Sequence, residues 1–467
     1  MPDTKTPPDS FFITVLACLI LAGLFVCPLP ALADYPLLAK LIIAYNSGVQ
    51  EKSLANGSYR GEEGLLRLTP EAAKSLGIKA VMNEDYNEAK ALLKNAERCL
   101  EKAQGAIALR KWDASSPDHY TRDIIEPIIS YKRDTAAAQE KLKAYHAALT
   151  PEEDERLDPA LSMKALNRLL DEGLNATKNR LRDALGYFYN HCRGDTSNSH
   201  YLTPENVPFV NQVFLAYLEQ APKASVERFD LDRAHDSMNP GVNNQWKRVM
   251  EKTGFPYITA LETAVTRQKA EGNIVDPLLF VALMRRESRF DPLAVSSVGA
   301  AGLTQIMPQT ALSLGMTQIY VPDYFKEAVT LISEERKLGR DAMNTLFRIA
   351  DANGLKFAKD ARQLMQSSLD VAEKKEKLFR LYKQDLLKGK TDERLKPERA
   401  IEFGYRYFAQ MMRLQNGDIS LALASYNAGP HRVERYRGIP PFRETVHFRN
   451  KVMEFYREYL EMARLLQ

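Results

Sequence analysis

The chain has 467 residues, which is enough for more than one domain. Hydrophobic residues make up 45% of it and charged residues 27%, as is ordinary for a soluble globular protein. The formal net charge of +4 is too small to indicate an anionic partner by itself, and we expect no nucleic-acid partner. The histidines and cysteines show no metal-ligand spacing, so we expect neither a metal nor another cofactor.

The N-terminal segment has the pattern of a signal peptide. Residues 11–27 are an apolar run, and Ala31-Leu32-Ala33 has the small-x-small pattern of a signal-peptidase site. We therefore predict that residues 1–33 are removed and that the mature protein is periplasmic. The run is also just long enough to span a bilayer, so an uncleaved inner-membrane anchor is the alternative.

Residues 34–250 are predicted to form an all-helical N-terminal domain. Residues 34–80 are expected to be irregular with short helices, and from Asn83 onward apolar residues recur at helical spacing. No repeat of fixed period is evident, so we expect a helical bundle that docks on the second domain rather than a solenoid. In an oxidising periplasm Cys99 and Cys192 could form a disulfide, and two buried free thiols are the alternative.

The second domain, residues 251–467, is organised around a buried helix that ends in a carboxylate. Asp276 and Pro277 are a favourable N-cap and first residue, and an unbroken apolar run follows them. Glu287 lies in the last turn of this helix. Apolar surroundings raise the pKa of a carboxyl, which suits a general acid. The alternative is an ion pair between Glu287 and a neighbouring arginine: Arg285, Arg286 or Arg289.

The residues that follow this helix form a long motif. Residues 287–311 are ESRFDPLAVSSVGAAGLTQIMPQTA, and SYNAGP at 425–430 and then IPPFRET follow downstream. Together these blocks resemble the signature of soluble-type lytic transglycosylases, the goose-type-lysozyme-like glycosidases that cut peptidoglycan. The resemblance covers about 276–316 and 397–452. It implies a lysozyme-like catalytic domain that is α+β but predominantly helical, so the whole chain is expected to be mainly α.

The resemblance implies a reaction as well as a fold. Most glycosidases use two carboxylates, but the other acids near the motif are better explained as caps or surface charges: Asp291, Asp418 and Glu434. Members of the family use a single glutamate, here Glu287. It acts as general acid on the β-1,4 bond between N-acetylmuramic acid and N-acetylglucosamine, then as general base on the 6-hydroxyl, which leaves a 1,6-anhydromuramoyl end. Peptidoglycan glycan strands are then the partner. A lysozyme-type hydrolase and a wall-binding or assembly scaffold with poor turnover are the alternatives.

The resemblance also assigns two substrate-binding residues in SYNAGP. Tyr426 matches a tyrosine whose hydroxyl lies beside the catalytic carboxyl, and its alternative role is core packing. Asn427 could give amide hydrogen bonds to an N-acetyl sugar, and its alternative role is a helix C-cap.

Four further residues match positions along the saccharide groove. Ser296 and Gln305 match polar lining residues. Met307 matches an apolar wall against the sugar, although a place in the core explains it nearly as well. Glu444 matches an acid that meets the peptide stem, and an ion pair with Arg443 is the alternative.

Residues 317–396 are longer than the connector that the family has at this place. They are rich in charged residues with helical periodicity, which predicts an inserted helical subdomain. We expect its charges to form a solvated face, and the alternative is a flap over the saccharide groove.

Overall fold

The computed structural model describes residues 35–112, 115–195, 201–226, 230–231, 245–273, 275–350, 352–389 and 391–466. The predicted signal peptide, residues 1–33, lies outside these ranges. Within them the chain is built from helices, and its β pairing is limited to isolated bridges. The mainly α fold class is therefore confirmed. In the same described ranges, none of the helices combines the length and the apolar character needed to cross a membrane.

The first half of the chain places a long helical hairpin between shorter helices. In chain order the helices are Pro36–Asn56 (α1), Pro70–Ser75 (α2), Glu84–Ala108 (α3), Pro117–Tyr120 (α4), Glu126–Ala148 (α5), Pro159–Ala176 (α6), Leu181–Cys192 (α7), Val207–Gln220 (α8) and Lys223–Val226 (α9). Helices α3 and α5 pack along each other as the hairpin. Cys99 and Cys192 are both free thiols, and Cys192 is buried.

Helix α1 corrects the expectation of irregular structure over 34–80. It has 21 residues and begins with a proline at its first turn. Its buried face starts with apolar residues, including Leu38 and Ile42, and continues with Asn46 and Ser53. Because apolar periodicity is the main sequence signal of a helix, a buried face that turns polar halfway hides the helix from that signal.

The second half repeats this plan with a longer hairpin. Its helices are Gln245–Thr253 (α10), Ile258–Ala270 (α11), Pro277–Ser288 (α12), Pro308–Ser313 (α13), Asp323–Leu346 (α14), Gly354–Gly389 (α15), Pro397–Leu414 (α16), Ile419–Ala428 (α17), Pro430–Arg435 (α18) and Arg443–Leu465 (α19). Helices α14 and α15 form the hairpin inside the stretch 317–396 that was predicted to be helical. Helix α12 is buried from Pro277 to Met284 and packs along α19.

The order of elements occurs twice along the chain. In each half a helix that opens on Pro-Leu-Leu is followed by a glycine-containing loop, a short helix that opens on proline, and the hairpin; in the second half α10 and α11 precede this series. After each hairpin comes a 3-10 turn inside the sequence Asp-Glu-Arg-Leu, at Glu155–Leu157 and Glu393–Leu395. Three longer helices complete each half. The expected bundle without a repeat is therefore replaced by two copies of one arrangement.

The two halves share both their cores and their hairpin ends. The main core of the first half includes four side chains of the second: Ala424, Val433, Ile439 and Val446. The core of the second half already includes Trp246 of α10, slightly before the boundary predicted near residue 250.

The hairpins meet at their ends. Arg362 of α15 donates a hydrogen bond to the carbonyl oxygen of Ala106 at 2.8 Å, and Lys132 of α5 donates to that of Ile349 at 2.7 Å. Apolar side chains of both hairpins form one cluster around these bonds. The charged second hairpin is therefore held against the first at its end, instead of being solvated on all sides.

Candidate active site

Helix α12 carries Glu287 to the end of a buried helix. At its start, Asp276 Oδ1 accepts a hydrogen bond from the backbone N–H of Leu278 at 2.8 Å, as expected of an N-cap. At its end, Arg289 has left-handed backbone with φ 54° and stops the helix. Because the chain turns away two residues after Glu287, that side chain is left partly exposed at the helix end.

The surroundings of Glu287 favour the protonated carboxyl. Burial raises its pKa to about 8; the charge of Arg286 lowers it and that of Glu444 raises it. None of the ion pairs in the described part of the chain involves Glu287. Arg285, one of the arginines considered as its partner, pairs with Glu458 at 2.6 Å. The raised pKa therefore favours the protonated carboxyl of Glu287 near pH 7.

The loop after α12 is held in shape by the two predicted polar lining residues. Gln305 Nε2 donates to the carbonyl oxygens of Ala294 and Gly302 at 3.0 and 2.9 Å. Ser296 Oγ accepts from the backbone N–H of Ala300 at 2.9 Å. Both side chains are only partly buried, so each braces the loop while remaining accessible from one side.

A buried arginine, which the sequence analysis did not select, fixes the same loop. Arg394 donates to the carbonyl oxygens of Gly299 and Ile306 at 3.0 and 3.1 Å, and it pairs with Asp392 at 2.8 Å. A Cβ on Gly302 would lie 1.7 Å from the carbonyl oxygen of Arg394, so only glycine fits there. The signal in the sequence was the run Asp-Glu-Arg-Leu before α16, which looked like part of a charged surface.

Helix α17 brings Tyr426 and Asn427 to the site. The Tyr426 hydroxyl donates to the carbonyl oxygen of Thr304 at 2.8 Å. Burial and the nearby charge of Glu287 raise the pKa of Tyr426 well above its ordinary value, so its hydroxyl stays protonated close to the acid. Asn427 is partly exposed, and its Oδ1 accepts from Thr445 Oγ1 at 2.8 Å.

Met307 and Glu444 lie at the margins of this arrangement. Met307 is partly buried and packs against the cluster at the base of the second hairpin, which supports its place in the core. Glu444 is exposed in the first turn of α19, yet its charge reaches Glu287. The ion pairs found among the described residues do not include Glu444 with Arg443.

A positively charged cavity lies beside the same helices. It has a volume of about 590 Å³ and is lined by residues of α12, of the turn that follows it and of α19: Arg285, Arg286, Arg289, Phe290, His447, Lys451 and Phe455. Glu287 does not line it, so the cavity adjoins the acid without enclosing it. Within the described residues, no cluster of three or more histidine, cysteine or acidic side chains could hold a metal ion.

Comparison with known proteins matches this region to a family. The family model described as "Transglycosylase SLT domain" matches residues 264–330 and 361–448. The unmatched residues between them are fewer than the stretch 317–396 that was predicted as an insertion. A protein named "Transglycosylase" from Enterobacteria phage PRD1 is 48% identical over 48 residues. The match covers 10% of this chain and 18% of that relative.

Two solved structures of lytic transglycosylases are also similar over most of the chain. An inactive mutant of Slt from Pseudomonas aeruginosa is 14% identical with a TM-score of 0.27, and covers 98% of this chain and 76% of its own. The 70 kDa soluble lytic transglycosylase from Escherichia coli is 13% identical with a TM-score of 0.26, over the same shares. TM-scores this low carry no argument about the fold. The matched residues include the Glu287, SYNAGP and IPPFRET blocks, so the C-terminal half of the chain is similar to the Transglycosylase SLT domain.

Proposed function

We propose that the protein is a peptidoglycan lytic transglycosylase. It cleaves the β-1,4 bond between N-acetylmuramic acid and N-acetylglucosamine and leaves 1,6-anhydromuramoyl ends. The observation that carries the proposal is the state of Glu287, a carboxyl at the end of a buried helix whose pKa burial raises to about 8. The family match over the same residues supports it.

In the first step Glu287 donates its proton to the glycosidic oxygen as the bond from that oxygen to C1 of the muramoyl residue breaks. A carboxyl that is protonated at neutral pH is suited to this role. The N-acetyl group of the muramoyl residue assists at C1, since substrate assistance replaces a second carboxylate in such enzymes.

In the second step the Glu287 carboxylate takes the proton of the 6-hydroxyl as that oxygen bonds to C1. The anhydro ring closes, Glu287 is protonated again, and no water is consumed. The low polarity that made the carboxyl a good acid also makes its carboxylate a good base.

No second acid competes with this scheme among the candidates in the motif. Asp291 Oδ1 accepts from the backbone N–H of Leu293 at 2.8 Å, and Asp418 Oδ1 accepts from that of Leu421 at 2.9 Å. Asp291 closes a turn, Asp418 caps α17, and Glu434 is exposed on α18. A hydrolase of the lysozyme type would need a second carboxylate opposite Glu287, and none of these three is arranged as one.

We also propose that the protein acts in the periplasm on peptidoglycan glycan strands. The support is the apolar run at 11–27 and the small-x-small site at Ala31-Leu32-Ala33, which predict export. An uncleaved anchor in the inner membrane would place the enzyme in the same compartment.

The test is digestion of purified peptidoglycan sacculi by the mature protein and by Glu287→Gln, with the released muropeptides identified by mass. We expect anhydromuropeptides from the wild type and none from the variant. Products with reducing ends would instead identify a lysozyme-type hydrolase. Binding to sacculi without release of products would identify a scaffold.

A further inference from the structure

Arg394 and its partner Asp392 hold the loop that follows α12, and we call this pair the brace. The brace has a counterpart in the first half. Arg156 donates to the carbonyl oxygens of Gly61 and Leu68 at 2.8 and 2.9 Å, and it pairs with Asp154 at 2.7 Å. A Cβ on Gly64 would lie 1.8 Å from the carbonyl oxygen of Arg156. The same interval of sequence separates each of these residues from its counterpart: Gly61 from Gly299, Gly64 from Gly302, Leu68 from Ile306, Asp154 from Asp392, and Arg156 from Arg394.

The position of the catalytic acid is occupied by Tyr45 in the first half. Asn46 Nδ2 donates to the carbonyl oxygen of Leu65 at 3.1 Å, and Ser288 Oγ donates to that of Leu303, which matches Leu65, at 2.9 Å. Asn46 is therefore the counterpart of Ser288, and Tyr45 is that of Glu287. Tyr45 also lies near Tyr189, as Glu287 lies near Tyr426. The first half therefore has a phenol where the second has its acid.

The position of Tyr45 is not at an open helix end. Helix α1 continues to Asn56, so Tyr45 lies inside a helix, and it packs against the core of the first half. Asn46 is 3% exposed, and its Nδ2 donates to the carbonyl oxygen of Leu65 at 3.1 Å. Asn190, which matches Asn427, is also buried, and its Nδ2 donates to the carbonyl oxygen of Tyr201 at 3.2 Å. Neither amide faces a groove.

A buried ion pair links this half to the start of helix α17. Arg182 of α7 donates both of its terminal nitrogens to Asp418, at 3.0 and 2.7 Å. The same Asp418 caps α17, whose last turns carry Tyr426 and Asn427. A bidentate pair of this kind fixes both the position and the direction of the helix start.

A second buried ion pair links the first half to α19. Asp183 accepts from Arg449 at 2.7 Å and from Arg457 at 2.8 Å. Both arginines lie on the helix that carries Glu444, and Arg449 also donates to Ser420 Oγ of α17 at 2.9 Å. Asp183 thus joins the two helices that approach Glu287 from the side of the first half.

Two asparagines make reciprocal contacts between the halves. Asn211 of α8 donates to the carbonyl oxygen of Ile439 at 2.9 Å, and Asn450 of α19 donates to that of Leu202 at 2.8 Å. Asn211 lies 239 residues before Asn450 and Leu202 lies 237 residues before Ile439, so the two contacts are equivalent to within two residues. Such reciprocity is the mark of a two-fold interface between like subunits.

From these contacts we propose that residues 35–226 are a second, catalytically silent copy of the SLT-domain arrangement, and that this copy packs on the catalytic one as a fused dimer and positions α17 and α19. Its role is to hold Tyr426, Asn427 and Glu444 in place beside Glu287. Arg182 and Asp183 are the positioning residues, because their ion pairs hold α17 and α19.

The positioning role is tested with Asp183→Asn, which keeps the shape of the side chain but removes the charge that three arginines face: Arg180, Arg449 and Arg457. We expect kcat/KM on sacculi to fall at least about tenfold with the chain still folded. Deuterium uptake should rise over 419–428 and 438–452 while 277–288 keeps its protection. The control is Asp171→Asn, an exposed aspartate of the same half whose partner is Tyr35, and it should change neither quantity.

Unchanged activity and exchange in Asp183→Asn would overturn the positioning role. If that variant does not fold, Asn211→Ala decides, because it removes only the contact with Ile439 and should raise uptake over 438–442. The inference rests on the proposed function only for its activity measurement. If the wild type releases no anhydromuropeptides, the proposed function fails and the exchange measurement still tests the positioning.

The absence of an active site in the first copy is tested by counting the saccharide-binding sites per chain. Calorimetric titration of Glu287→Gln with the N-acetylglucosamine tetramer should give one binding site per chain. Two sites would overturn the silent copy, and so would anhydromuropeptides released by the Glu287→Gln protein.

Discussion

The two halves of this chain hold equivalent loops with the same arginine–aspartate brace, and they differ in the helix that lies beside the loop. In the second half, the loop held by Arg394 lies beside a helix that stops after Glu287. In the first half, the loop held by Arg156 lies beside a helix that runs on past Tyr45. The brace therefore fixes the loop in both halves. The proposed site exists only in the second half, because α12 ends there and carries Glu287.

The largest expected effect concerns the acid. Glu287→Gln should lower kcat/KM on sacculi roughly a hundredfold to ten-thousandfold, since it removes the proton donor. Adding Tyr45→Glu to that variant should restore nothing, because position 45 lies inside helix α1 and not at a helix end. Recovery of anhydromuropeptide release in the double variant would show that the two sites are more alike than their positions in the helices indicate.

The next prediction compares the effect of the two loops on stability with their effect on activity. Gly64→Ala and Gly302→Ala each force a Cβ onto a backbone oxygen at positive φ, so both should lower the free energy of unfolding by about 3 kcal/mol. Below the unfolding temperature, only Gly302→Ala should also lose activity. Urea denaturation and sacculus digestion measure the two quantities. Equal losses of activity in Gly64→Ala and Gly302→Ala would mean that the loop of the first copy also takes part in the reaction.

A third effect follows from the pKa of Glu287. Its folded value of about 8 lies above the ordinary 4.5, so folding favours the protonated carboxyl, and stability is lost as pH rises from about 4.5 to 8. Glu287→Gln should therefore be more stable than the wild type by about 4 kcal/mol at pH 7.5. The difference should vanish near pH 4. The exposed Glu434→Gln is the control, because its charge is not among those that shift the pKa of Glu287. A difference that does not depend on pH would contradict the assignment.

The smallest effect compares two tyrosines. Tyr426→Phe removes the hydrogen bond to Thr304 and should cost about 1 kcal/mol of unfolding free energy, with a severalfold drop in kcat/KM. Tyr189→Phe, at the matching place in the first half, should leave kcat/KM unchanged. Equal drops would show that the first copy contacts the substrate.

The sequence predicted the second half better than the first. The apolar run of α12, its Asp-Pro start and the carboxyl at its end are local signals, and they specified both the helix and the acid. The family motif then supplied Tyr426 and Asn427. In the first half the matching helix has Asn46 and Ser53 on its buried face, so the local signal failed there.

The repeat was missed for a different reason. The copies agree in glycines, prolines and one buried ion pair, while most other positions differ. The run Asp-Glu-Arg-Leu does occur in both halves, at 154–157 and 392–395. Its meaning became visible only when Arg156 and Arg394 were seen to hold equivalent loops, because hydrogen bonds to backbone oxygens leave little trace in sequence.

The reciprocal contacts of Asn211 and Asn450 form an interface whose stability should not depend on protein concentration. Two free subunits would separate at low concentration, but two copies joined in one chain meet at an effective concentration that the linker sets. The interface can therefore remain formed even where its own affinity is modest. It follows that the thermal midpoint should not change with protein concentration.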